Sequence, residues 1–345
     1  MTVLGSINVR LRSNGQRIVS AYVETSGTVV LRDILAGRTP EEALEAMGTV
    51  FGICPAAQTL AAHLALCAAR GQPADGPTRE RLKLLNACET LRESLMLFAL
   101  RFCRERDAAF EAPLVAAVRE LVRERMPEPG TRQALRDHLM RGVVLDPAQK
   151  DIFFDTNASA LTRTFNDLAV HSEDGIDPAP LALPPLLQIA SSPGRLIEEG
   201  AYYGALSRLV AKDPLMHFLW EAYGNASFMR FLARLVETGS LLEDPLSINA
   251  GNDAVSYAPG AATSLVQCAR GALYHRVELD QAGRIRDYEV VSPTEINAGP
   301  RFATFSRMLC TVQASGEEEL RYRAGKAIDS YDPCLPYTLE VLRHA

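Results

Sequence analysis

Two cysteines in this chain have local sequences that suit chemistry. Cys54 lies directly before Pro55, at the start of an alanine- and leucine-rich segment, and Cys334 follows Pro333 just before a short apolar segment. Proline favours the first position of a helix, so we predict that Cys54 is an N-cap and that Cys334 also begins a helix. The free amides and partial positive charge of a helix N-terminus should lower the pKa of the Cys54 thiol below about 8.5. Thiolates bind soft or borderline metals, including iron.

A structural role fits the same residue type, because free cysteine is among the most frequently buried residues. We expect core packing for the other five cysteines, which are Cys67, Cys88, Cys103, Cys268 and Cys310. For Cys54 and Cys334 the local sequence leaves both roles open. Nothing in the local pattern brings these two residues together.

Other chemistries have no support in the sequence. CxxC, HExxH, GxSxG and phosphate-loop motifs are absent, and the six histidines are dispersed. The net charge of -6 argues against a nucleic-acid partner, and no apolar run reaches the length of a membrane span. No secretory signal is visible at the N-terminus, and the seven scattered cysteines suit reduced thiols. We therefore expect a cytoplasmic protein with neither nucleic-acid nor membrane partners.

Hydrophobic periodicity predicts the elements that would carry these residues. Apolar residues alternate over 7–11, and the turn at Asn14-Gly15 leads into a second strand over 18–23, which is a hairpin pattern. A second hairpin is predicted over 272–279 and 285–291. Thr39 and Pro40 start a helical pattern. The remaining predicted helices cover 55–70, 79–105, 111–125, 131–141, 195–211, 214–237, 302–314 and 316–329.

Two segments are predicted to be irregular because proline, glycine and asparagine cluster in them. They cover 176–194 and 243–263. Together the patterns predict an α+β fold, a helix-rich bundle with peripheral β-hairpins, formed by residues 1–345 as a single domain.

Several segments resemble, in order, the large subunit of [NiFe] hydrogenases. The sequence ARGALYH over 269–275 resembles the PRGxLxH segment of that family, and YEVVSPTEIN over 288–297 resembles its VPSTxN segment. Asp332-Pro333-Cys334 matches the start of DPCxxCxxH, and Cys54 takes the place of the second cysteine of RxCGxCxxxH. The resemblance implies the large-subunit fold.

Departures from that family's motifs change the expected function. Phe51 and Tyr337 stand where the family has a further cysteine, and Gln58 and Glu340 where it has histidines. Leu4-Gly5-Ser6 stands in place of Glu-Gly-His, and only five residues follow Glu340, so we expect no removable tail. The family holds nickel with four thiolates, and this chain keeps one of each pair. The resemblance therefore implies no nickel, no hydrogen turnover and no enzymatic activity.

The features that remain match the iron half of the family's site. Arg270, Pro293 and Thr294 occupy positions that surround the cyanide ligands of Fe(CN)2CO, where a cation and a hydroxyl or backbone donor suit cyanide nitrogens. The pattern resembles HupK/HoxV-type accessory proteins, degenerate relatives of the large subunit. That resemblance implies a hydrogenase maturation protein that transiently holds Fe(CN)2CO, or an iron precursor, on Cys54 and Cys334. Its implied partners are maturation chaperones and the large-subunit precursor.

Two other functions remain open. A metal-free interaction protein could recruit the maturation chaperones by mimicking the large subunit. An active hydrogenase subunit would instead bind nickel tightly. Without the resemblance, Arg270 would be a solvated charge on a hairpin and Thr294 a turn residue.

Overall fold

The computed structural model describes residues 5–26, 31–74, 76–170, 186–193, 202–298 and 303–343, and it confirms the helix-rich α+β fold. The strands are β1 (Ser6–Ser13), β2 (Ile18–Ser26), β3 (Val143–Asp146), β4 (Asp151–Phe154), β5 (Asp253–Ala258), β6 (Ala261–Cys268), β7 (Gly271–Leu279), β8 (Ile285–Val291) and β9 (Tyr337–Arg343). The helices are α1 (Leu31–Leu35), α2 (Pro40–Val50), α3 (Pro55–Ala69), α4 (Gly76–Met96), α5 (Ala108–Val122), α6 (Pro129–Leu139), α7 (Ala160–Val170), α8 (Leu186–Ile189), α9 (Ala205–Val210), α10 (Pro214–Tyr223), α11 (Ser227–Glu243), α12 (Pro293–Ala298), α13 (Ala303–Leu309) and α14 (Glu317–Tyr331).

The first hairpin is confirmed and gains a third strand. Strands β1 and β2 pair antiparallel, as the alternating pattern predicts, and β9 pairs with β1 in parallel. The register runs from Ile7 opposite Tyr337 to Ser13 opposite Arg343. Alternate residues of β1 enter the main core, so this sheet joins the two ends of the described chain to the helices.

The second hairpin is confirmed as β7 and β8, within an antiparallel sheet of order β5-β6-β7-β8. The predicted loop over 243–263 is wrong in part, because it contains β5 and the start of β6. Strand β6 is buried along its whole length. A strand covered on both faces lacks the alternation of apolar and polar residues that would have revealed it.

Helix α3 packs on the four-stranded sheet and also contacts α2 and α4. Most of its residues are buried, and its alanines allow neighbouring backbones to approach closely. The Ser264 hydroxyl of β6 donates to the Ala61 carbonyl at 2.7 Å. Thr39 is the N-cap of α2, as predicted, and the structure adds a capping box between Thr39 and Glu42.

The predicted helix over 79–105 is α4 followed by a π-helical turn at Leu97–Phe102. The Lys326 ammonium donates to the Arg101 carbonyl within this wider turn. The turn delivers aromatic side chains into the main core, where Phe102 contacts the rings of Phe165 and Phe231.

Other predicted elements are shifted or divided. The predicted helix over 214–237 is two helices, α10 and α11, because Gly224 has a φ of 61° and interrupts the first. Residues 195–201 and most of 176–194 lie outside the described residues, and α8 lies within 186–193. Helices α5, α6, α13 and α14 fall within two to five residues of the predicted boundaries.

Candidate metal site

Cys54 is the N-cap of α3, as the sequence predicts, but the helix end does not favour its thiolate. The carboxylate of Glu89, on α4, accepts the amide hydrogens of Ala56 at 2.8 Å and Ala57 at 3.1 Å. Burial, followed by the charge of Glu89, raises the pKa of the Cys54 thiol. The predicted lowering of this pKa is therefore wrong, because the sulfur is buried and Glu89 accepts the hydrogens of the helix amides.

The sulfur of Cys54 ends a chain of buried polar contacts. Gln58 Nε2 donates to Cys54 Sγ at 3.6 Å, and Gln58 Oε1 lies 2.7 Å from His275 Nε2. His275 Nδ1 lies 2.7 Å from the Tyr288 hydroxyl. Burial lowers the pKa of His275 to about 3, so the imidazole is neutral at physiological pH. This series of contacts links α3 to β7 and β8.

Cys334 lies between α14 and β9, so the prediction that it begins a helix is wrong. Residues 337–343 instead form the strand that pairs with β1, because tertiary pairing outweighs the local helical tendency suggested by Pro333. Asp332, the C-cap of α14, adopts a left-handed conformation with φ 47° and turns the chain toward Cys334. Burial raises the pKa of the Cys334 thiol.

Thr294 holds Cys334 by two contacts. Its hydroxyl donates to Cys334 Sγ at 3.3 Å and accepts the Cys334 amide hydrogen at 3.2 Å. Pro293 begins α12, and a capping box between Ser292 and Glu295 fixes this turn. The Cys334 sulfur, like the Cys54 sulfur, thus receives one donated hydrogen bond. Cyanide binding by Pro293 and Thr294 stays a prediction.

Arg270 is a buried cation whose contacts extend toward both candidate cysteines. Its Nε donates to the Asp332 carbonyl at 2.9 Å, and one terminal nitrogen donates to the Glu93 carboxylate at 2.8 Å. Burial disfavours the charged guanidinium, but Asp332, Glu93 and the two candidate cysteines outweigh burial and raise the pKa of Arg270. Glu93 also pairs with Arg92, which donates to the Ile53 carbonyl beside Cys54 at 2.8 Å. These contacts place Arg270 and the two candidate cysteines in one region of the fold.

Gly271 permits the close packing that sets the Arg270 backbone. Its φ is 137°, and a Cβ at this position would lie 1.9 Å from the Tyr203 carbonyl oxygen. The Asn297 side chain donates to the Arg270 carbonyl at 3.0 Å and accepts from the Tyr203 amide at 2.8 Å. The positive φ and the close approach of Tyr203 explain why a glycine follows Arg270 at the β6–β7 turn.

Three arginines contact the carboxylate of Asp332 in the candidate site. Arg270 Nε lies 3.5 Å and Arg234 3.4 Å from its carboxylate, and Arg101 contacts the other oxygen. Burial alone would raise the pKa of Asp332, but these three cations lower it. The aspartate is therefore ionised, and it ties α14, α11 and the π-helical turn to the β6–β7 turn.

Sequence reasoning missed several residues of this site. They are Glu89, Glu93, Arg234, His275, Tyr288 and Asn297. A usable signal was in α4, where Glu89 and Glu93 lie four residues apart. Glu89 is buried and the Glu93 side chain is 11% exposed, and a charge so far removed from water requires a partner.

Four of the other five cysteines, all except Cys67, are in the core or pack against it. Cys88 and Cys268 are buried, whereas Cys67, Cys103 and Cys310 are partly exposed. In the described part of the chain, no group of three or more His, Cys, Asp or Glu side chains could hold a metal ion. Among the same residues, no helix is long and apolar enough to cross a membrane.

Comparison with curated proteins gives similarity over nearly the whole chain. The chain is 26% identical to the hydrogenase expression/formation protein HupK of Rhizobium leguminosarum, over 98% of this chain and 96% of that protein. It is 28% identical to HupK of Bradyrhizobium diazoefficiens, over 97% and 96%. It is 32% identical to the hydrogenase expression/formation protein HoxV of Cupriavidus necator, over 43% of this chain and 38% of that protein. No family model matches the sequence.

Comparison with solved structures identifies the fold. An NAD+-reducing [NiFe]-hydrogenase in the H2-reduced state matches with a TM-score of 0.63 and 16% identity, over 97% of this chain and 99% of that chain. The reduced, active Ni-Fe-Se hydrogenase from Desulfomicrobium baculatum matches with a TM-score of 0.57 and 17% identity, over 94% and 95%. The resemblance to hydrogenase large subunits and to HupK/HoxV-type proteins, predicted from the sequence, is confirmed.

Proposed function

We propose that this chain is a hydrogenase maturation protein that transiently holds an Fe(CN)2CO unit, or an iron precursor of it, on Cys54 and Cys334. The observation that carries the proposal is a set of contacts from Arg270 toward both cysteines. Arg270 donates to Asp332, two residues before Cys334, and to Glu93, whose partner Arg92 donates to the Ile53 carbonyl beside Cys54. The relatives named hydrogenase expression/formation proteins support the maturation role. The shared large-subunit fold supports a pocket adapted to such a unit.

The residues of the pocket suit an iron unit with small anionic ligands. Two thiolates would bind iron, and the unit brings its own cyanide and carbon monoxide ligands for other positions. Among the described contacts, Arg270 uses Nε and one terminal nitrogen, so its other terminal nitrogen could donate to a cyanide. Thr294 has one hydroxyl proton, which it now gives to Cys334 Sγ, and could turn it toward a cyanide when the unit is bound.

The small number of protein ligands suits a carrier better than an enzyme. Described residues offer no third Cys, His, Asp or Glu to complete a metal site with the two cysteines. A unit held by two protein bonds is released more easily than one held by four. We propose a cytoplasmic, non-catalytic role, with delivery to the hydrogenase large-subunit precursor in contact with maturation chaperones and without nickel.

Infrared spectroscopy tests this function. The protein is purified from cells that contain the cyanide-making machinery, and CN and CO stretching bands are recorded for wild type, Cys54→Ala and Cys334→Ala. We expect bands in the wild type and their loss in both variants. Cys310→Ala is the matched control, because Cys310 is a partly exposed thiol at the end of α13, and it should keep the bands. Absent bands in the wild type, or bands that survive in both alanine variants, would reject the iron role. If both variants also support hydrogenase maturation in cells, the chain acts instead as a metal-free interaction protein.

A further inference from the structure

We infer that Gln58 is the hydrogen-bond donor to the Cys54 sulfur in the metal-bound protein, and that His275 and Tyr288 are positioning residues that hold its amide in that orientation. The inference rests on the proposed function only in taking Cys54 as a metal ligand. It assigns a role to a residue that stands where the resembled family has histidine.

The first step follows from the chemistry of a metal-bound thiolate. Such a sulfur carries no proton, so it can only accept a hydrogen bond. Gln58 must therefore present its NH2 group to Cys54, and Nε2 lies 3.6 Å from Sγ in the structure. In the reversed orientation the amide oxygen of Gln58 would face the sulfur, and a hydrogen bond would then need a proton on Cys54. A metal-bound thiolate has no such proton, so this orientation does not occur in the metal-bound form.

The second step determines which atoms of His275 and Tyr288 carry the hydrogens. With NH2 on the sulfur, Gln58 Oε1 faces His275 Nε2 at 2.7 Å, and a carbonyl oxygen can only accept, so Nε2 carries the proton. The buried imidazole is neutral, so Nδ1 is an acceptor and needs a donor. The Tyr288 hydroxyl, 2.7 Å away, supplies that donor, because burial raises its pKa and keeps it protonated.

The third step is that water cannot replace these groups. Gln58 and Tyr288 are each 2% exposed, and His275 is fully buried. The three residues lie on α3, β7 and β8, which pack together, so the donor position is rigid. An amide donates without ionising, and the chain therefore stabilises the thiolate without carrying a proton to or from the metal.

Zn2+ binding to the metal-free protein tests this role without the iron unit, because Zn2+ also binds thiolates. We expect Gln58→Leu to weaken Zn2+ binding about 10–100-fold, as is typical when a group that supports a metal ligand is removed. Tyr288→Phe should weaken Zn2+ binding by a smaller factor. It should have little further effect in a Gln58→Leu background, because Tyr288 acts on the sulfur only through the Gln58 amide. Tyr288→Phe removes a single oxygen atom, so it keeps the test available if Gln58→Leu fails to fold.

The matched control is Tyr274→Phe. Tyr274 is buried on the same strand as His275, and among the described residues its hydroxyl has no hydrogen-bond partner. This variant also loses one buried tyrosine hydroxyl, and its Zn2+ affinity should equal that of the wild type. Equal affinities for wild type, Gln58→Leu and Tyr288→Phe would overturn the inference, as would a wild-type protein that does not bind Zn2+ through Cys54.

Nitrogen-15 spectra of histidine-labelled, Zn2+-bound protein give a readout that a merely structural role would not move. We expect the Nε2–H tautomer at His275 in the wild type and a changed tautomer population in Tyr288→Phe. The Nδ1–H tautomer in the wild type would overturn the inference. Failure of the proposed function has a different signature: the CN and CO bands would be absent while the Zn2+ affinities and the tautomer follow the expected pattern.

Discussion

Glu89 allows a quantitative test of the electrostatics beside Cys54. Its carboxyl group is 5% exposed and accepts two backbone amide hydrogens at the start of α3. Burial raises the pKa of this group, and the hydrogen bonds from the two amides lower it. The effect of burial is larger, so the pKa rises from 4.5 to about 7. The perturbation is Glu89→Gln, which keeps an amide-accepting oxygen and removes the titration.

The expected effect on stability follows from proton linkage. The folded protein holds the Glu89 proton more tightly than the unfolded chain, so this group contributes stability that is fully present below about pH 4.5. That contribution is lost as the pH rises through about 7. Between pH 5 and pH 8 the loss is about 2.5 kcal/mol for a single group with these two pKa values. The free energy of unfolding of Glu89→Gln, relative to wild type, should therefore rise by about 2.5 kcal/mol over that range.

The assay is urea denaturation of metal-free wild type and Glu89→Gln at several pH values from 5 to 8. Glu80→Gln is a control on the same helix, because the Glu80 side chain is 61% exposed. Its free energy of unfolding should run parallel to that of the wild type. A constant difference between Glu89→Gln and wild type across this range would refute the argument that burial outweighs the two amide contacts.

Three further substitutions test the pocket. Gly271→Ala places a Cβ 1.9 Å from the Tyr203 carbonyl oxygen at a positive φ, so urea denaturation should show a loss of at least about 2–3 kcal/mol; wild-type stability would contradict this packing. Arg270→Met leaves the buried Asp332 with less compensating charge, and we expect the same assay to show a loss of about 3 kcal/mol; a neutral result would show that the pair does not support the fold. Thr294→Val removes the hydroxyl that would turn from the Cys334 sulfur to a cyanide in the loaded protein, so the CN bands should move from their wild-type frequencies; unmoved bands would show that the hydroxyl does not contact the bound unit.

Local signals in the sequence predict elements that are stabilised by their own residues. The Thr39 capping box, the proline after Cys54 and the Asn14-Gly15 turn each specify a helix start or a hairpin within a few residues. Where distant partners decide the conformation, the local sequence fails. Strand β6 has no alternation because both of its faces are covered, and Cys334 precedes a strand because β1 is available for pairing.

The sequence suggested Cys54, Cys334, Arg270 and Thr294 as site residues, but it did not reveal the side chains that surround them or the electrostatics of the site. The resemblance placed Cys54 and Cys334 in one site, which local spacing could not do. It did not reveal that Glu89, 35 positions after Cys54 in the chain, takes the helix amides expected to lower the thiol pKa. It also treated Gln58 only as a lost histidine, whereas the structure places the amide of Gln58 against the sulfur. Contacts of this kind depend on side-chain positions across elements that no single segment encodes.

The parallel pairing of β9 with β1 sets the order of events during synthesis. Thr338 on β9 bonds Asn8 on β1 across 330 residues, and Cys334 is placed by the turn that leads into β9. A contact of such sequence separation closes late, because the entropy of the intervening chain must be lost first. A site that uses both sulfurs therefore forms only after β9 has been synthesised and has paired with β1. Cys54 is synthesised 280 residues before Cys334, so the two thiols become available together only at this late step.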